Sequence, residues 1–100
     1  MRLAFIIISI LLPVICFSQH TNVFISSENS PEEPSIIINP YNTLELVAGA
    51  NINNNYSSSD GGLTWNISQM SSQYVVLVVP CIVVDTAGDY YFFHLSFTDY

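Results

Sequence analysis

From residue 34 onward the chain alternates short β-prone runs with clusters of turn-forming residues. Ser35-Ile36-Ile37-Ile38 is short and β-branched, and Asn39-Pro40-Tyr41-Asn42 reads as a turn. A second strand is predicted over 44–50, with Leu44, Leu46 and Ala48 on one face and Glu45, Val47 and Gly49 on the other. A third lies within 51–58, its asparagines pointing to a distorted or exposed start, and a fourth over 63–68. Ahead of these, 19–33 reads as an irregular lead-in segment with one short strand at 23–26 and the polar, proline-punctuated loop Glu28-Asn29-Ser30-Pro31-Glu32-Glu33-Pro34. After the polar stretch 69–73 the pattern resumes. Residues 74–79 are apolar and β-prone, 81–84 a strand, Asp85-Thr86-Ala87-Gly88-Asp89 a turn, and 90–97 a strong strand. On that last strand Tyr91, Phe93, Leu95 and Phe97 form an apolar face, and Tyr90, Phe92, His94 and Ser96 a mixed one. The pattern predicts an all-β, antiparallel fold.

The N-terminus follows a different rule. Arg2 supplies a short positive start, 3–15 is an apolar run broken only by Ser9 and Pro13, and Cys16-Phe17-Ser18 places small residues at the −3 and −1 positions of a cut before Gln19. This predicts a helical secretory signal peptide over 1–18, too short and too poorly flanked for a transmembrane helix. A lipid anchor at Cys16 is disfavoured by the bulky Ile15 beside it. The expected location is secreted or extracellular, with attachment at the cell surface left open and no stable membrane insertion after cleavage.

Cleavage changes the charge. The chain has eight acidic residues and one basic one, Arg2, for a net charge of −7; losing Arg2 gives −8. Nucleic acids and anionic membranes are excluded as partners, because binding them needs Lys and Arg to neutralise phosphates. Ion pairs inside 19–100 would need a protonated His20 or His94. Cys81 is left as the one cysteine, expected to be buried and unpaired, with a disulfide to a cysteine elsewhere as the alternative.

The most specific stretch is Ser58-Ser59-Asp60-Gly61-Gly62-Leu63-Thr64-Trp65. Asp60-Gly61-Gly62 is a hairpin-turn signal: glycine adopts positive φ without a Cβ clash, and an Asp carboxylate can accept N–H groups a few residues on. Ser58 can add a second side-chain bond across the turn. Thr64 suits a strand start, and Trp65, the one tryptophan, offers a large apolar anchor. The residues match S-x-D-x-G-x-T-W throughout, and so resemble the Asp-box of sialidase-like (BNR-repeat) β-propellers. The resemblance covers roughly 34–97 and takes in Glu33-Pro34-Ser35-Ile36-Ile37-Ile38-Asn39-Pro40 and Leu46-Val47-Ala48-Gly49-Ala50-Asn51, which look like a blade of large exported bacterial propellers. It implies a propeller fragment of about one and a half four-stranded blades: a first blade over 34–68 and a partial second over 69–100. It also implies that Ser58, Asp60, Gly62, Thr64 and Trp65 have a structural role, with Asp60 tying off a blade rather than doing chemistry.

Sialidases of this fold use three arginines for the substrate carboxylate, a Tyr–Glu nucleophile pair and an Asp acid. Arginine offers that carboxylate a bidentate fork. The first arginine normally precedes the first Asp-box, yet none stands between Gln19 and Asp60, and Pro34-Ser35-Ile36-Ile37-Ile38 occupies that strand position. No catalytic residue, cofactor or metal site is therefore expected in this segment. His94 is expected to be a structural, hydrogen-bonded histidine, and the acids of 28–33 a solvated surface rather than a Ca²⁺ site. Asp85 and Asp89 are explained by hairpin chemistry. For Tyr90-Tyr91-Phe92-Phe93 a core role is favoured over a sugar-stacking surface. Asn55-Tyr56-Ser57 and Asn66-Ile67-Ser68 match N-glycosylation sequons, relevant in a eukaryotic secretory route. The expectation is the N-terminal part of a longer secreted propeller, a binding or scaffold module toward an extracellular glycan or protein, completed by further blades of the same chain. The alternatives are the N-terminal part of an exo-α-sialidase-type glycoside hydrolase with its catalytic residues beyond residue 100, and a self-contained small secreted β domain.

Overall fold

The computed structural model describes residues 21–77 and 79–96. Their regular structure is all β: β1 (Ser35–Ile38), β2 (Leu46–Ala50), β3 (Asn54–Ser58), β4 (Asn66–Gln69), β5 (Cys81–Val84) and β6 (Tyr90–Phe93). The first four make an antiparallel sheet in the order β1-β2-β3-β4, and the last two an antiparallel hairpin. The signal peptide expected at 1–18 lies outside the described residues.

Strand β1 has the predicted limits because a β-branched run is bounded by Pro34 and by the Asn39 turn. In that turn Asn39 Oδ1 accepts the Tyr41 N–H at 2.9 Å, and the Glu45 carboxylate accepts both Asn39 Nδ2 (3.0 Å) and Asn42 Nδ2 (2.9 Å). These bonds hold 42–45 in the turn, so β2 begins at Leu46 rather than at Leu44. Strand β3 starts late within its predicted window, where the Asn54 side chain bonds the Asn51 carbonyl. The short strand expected at 23–26 and the apolar strand expected over 74–79 do not form among the described residues. Around the latter, Leu77 N–H reaches Leu95 O at 3.0 Å.

Register assigns the two faces of the four-stranded sheet. Ala48 lies opposite Ile36 and Tyr56, and Tyr56 opposite Ile67, so these side chains share one face with Leu46 and Ala50. Ala48, Ala50 and Tyr56 are the buried cluster of that face, with Ile25 of the lead-in segment and Trp65 packed on it. The other face carries Ser35, Val47, Gly49, Asn55 and Ser57, and the β5–β6 hairpin lies against it. Gly49 is the contact point. A Cβ built there would come within 2.5 Å of the Phe92 ring and 3.1 Å of Ile82, so the missing side chain is the slot that Phe92 fills. Ser35 Oγ accepts the Ile82 N–H at 3.2 Å and ties the two sheets at one edge.

The hairpin therefore turns Ile82, Phe92 and Tyr90 inward and leaves Cys81, Val83, Tyr91 and Phe93 outward. This corrects two expectations. Cys81 is exposed and free, because Ile82 takes the inward position beside it. The core role favoured for Tyr90-Tyr91-Phe92-Phe93 does not hold for Tyr91 and Phe93, which are about half exposed, at 47% and 57%, as is Leu95. The regular strand stops at Phe93, and Phe97 lies outside the described residues.

Candidate functional site: the turn joining β3 to β4

The turn is built on two side chains. Ser58, at the buried end of β3, accepts the Gly62 N–H at 2.9 Å and donates its hydroxyl proton to Asp60 Oδ1 at 2.8 Å. Asp60 Oδ1 also accepts the N–H groups of Leu63 (3.0 Å) and Thr64 (2.9 Å), while Oδ2 accepts the Thr64 hydroxyl at 2.5 Å. Gly61 and Gly62 have φ of +77° and +88°, the left-handed region that favours glycine, and Gly61 N–H closes the loop onto Leu44 O at 2.9 Å. Trp65 Nε1 donates to Gly62 O at 3.0 Å, which fixes the indole over the turn as it packs on the Ala48–Tyr56 cluster.

All five predicted residues, Ser58, Asp60, Gly62, Thr64 and Trp65, thus meet in one network. The expected strand over 63–68 is corrected by the same bonds: the Leu63 and Thr64 amides are spent on Asp60 and cannot enter a ladder, so β4 starts at Asn66. The tight hairpin expected from Asp60-Gly61-Gly62 is in fact the longer loop 59–65.

The Thr64 hydroxyl, followed by the Thr64 N–H, the Ser58 hydroxyl and the Leu63 N–H, stabilises the ionised carboxylate and pulls the Asp60 pKa down to about 2. An anion held this firmly in a donor shell is a poor general acid or base near neutral pH. Chemically, the arrangement closes a loop.

Asp85 repeats the device in smaller form. Its Oδ1 accepts the N–H groups of Ala87 (2.8 Å) and Asp89 (3.0 Å), and its Oδ2 accepts the Tyr91 hydroxyl at 2.8 Å. These bonds, that of Tyr91 foremost, lower the Asp85 pKa and raise that of Tyr91. The turn expected over 85–89 was legible in the sequence; the Tyr91 bond was not, since nothing in the local pattern marks a strand tyrosine as returning to the turn. His94 follows the end of β6, with Nδ1 3.1 Å from its neighbour's Leu95 O and its ring 6.4 Å from that of Phe92. It is half-buried beside the open hairpin face.

Residues that the pattern did not mark as lining this site complete the surroundings. Ser57, Ser59 and Asn66 line an open groove of ≈ 370 Å³ beside Ser58, Thr64 and Trp65. In the sequence Ser57 and Asn66 stood out only as sequon residues and Ser59 only as a neighbour of the Asp60 turn, none of them as a groove lining. Of the two sequon asparagines, Asn66 is exposed, whereas Asn55 donates through Nδ2 to Ser68 Oγ at 3.0 Å. Among the described residues no three His, Cys, Asp or Glu side chains converge where they could hold a metal ion. No protein-family model matches the chain, nor does any curated protein or solved structure.

Proposed function

We propose that residues 34–96 are one blade and the opening half of a second in a sialidase-like, Asp-box propeller, and that this part serves as a non-catalytic binding or scaffold module. The observation that carries the reading is the Asp60 network: Ser58, Asp60, Gly62, Thr64 and Trp65, the fixed residues of the S-x-D-x-G-x-T-W pattern, all take part in one set of bonds that closes the turn. The four-stranded antiparallel sheet, with a second hairpin laid face to face on it, supports the same reading, since propellers are built from such sheets arranged radially.

Against catalysis stands the commitment of Asp60 to the turn, together with a sequence that holds no arginine after Arg2. A sialic acid carboxylate would meet acidic side chains and no guanidinium fork in this segment. We therefore assign the ligand as a neutral glycan or a protein surface outside the cell. Export rests on the signal-peptide pattern of 1–18.

The test is the intact protein on an immobilised array of neutral and sialylated glycans, run beside a fluorogenic sialoside. Retention on neutral glycans without turnover is the expected result. Sialoside turnover contradicts the non-catalytic reading, and retention confined to sialylated glycans contradicts the assignment of a neutral ligand.

A further inference from the structure

We draw no further inference here: the strongest candidate, the open apolar face of the β5–β6 hairpin formed by Cys81, Val83, Tyr91 and Phe93, carries nothing because nothing in the structure shows what covers it.

Discussion

At Asp60 a single carboxylate satisfies two backbone N–H groups and two hydroxyls. Its folded-state pKa, about 2, lies below the ordinary 3.8, so its contribution to stability is fully present above pH 3.8 and is lost as the pH falls through about 2. Asp60→Asn should therefore lower the melting temperature at neutral pH, and the gap between variant and wild type should close as the pH approaches 2. A gap that stays constant with pH would show that the charge is irrelevant to the turn. Gly62→Ala imposes a Cβ on φ +88° and should cost about 1–2 kcal/mol, read by urea unfolding. Tyr56 provides a contrast. It is 4% exposed and its hydroxyl has no hydrogen-bond partner among the described residues, while burial, and then the nearby Glu28, raises its pKa. Tyr56→Phe should be neutral or stabilise by about 1 kcal/mol, because an unsatisfied buried hydroxyl is removed and the ring is kept. A loss of stability would reveal a partner for that hydroxyl.

Between elements, Gly49 and Phe92 decide how the hairpin sits on the sheet. Gly49→Val should cost about 1–3 kcal/mol by forcing Phe92 out of its slot. Phe92→Leu in the same chain should recover part of that loss, and a double-mutant cycle measures the coupling. Additive effects would mean that the two residues do not share a contact. This interface also marks where the sequence stops being informative. β1 and β5 could be placed to the residue because β-branched runs end at strong turn formers. Alternation sorted the side chains of 90–93 into faces but could not say which face is covered. Hydrophobicity favours Tyr91 and Phe93 for the interior, whereas the covered face is set by a glycine more than forty positions away. The Asp60 turn was legible in its residue types and misread in its extent, since side-chain capture of backbone amides leaves no trace in strand propensity. Residues 23–26 and 74–79 carry strand-like composition, yet composition supplies no neighbouring strand for a ladder.

Across the molecule, burial is partial. Ile25 of the lead-in segment packs on the Ala48–Tyr56 cluster of one sheet face, where Ile36 and Ile38 stay 56% and 51% exposed, and the hairpin lies on the other, its outer face leaving Val83, Tyr91 and Phe93 between 41% and 57% exposed. An apolar face of this kind is a contact surface or an aggregation hazard. The chain of residues 19–100 should accordingly enhance the fluorescence of an apolar-surface dye, and Phe93→Lys should reduce that enhancement without lowering the melting temperature. An unchanged signal would place the exposed apolar surface elsewhere.

The propeller reading itself makes the strongest demand on structure, and an experimental structure of the intact protein answers it. The expected result is the β1–β4 sheet standing as one of several radially arranged four-stranded blades, with β5 and β6 opening the next blade. Two sheets closed into a sandwich or a barrel around the Ala48–Tyr56 cluster would contradict it.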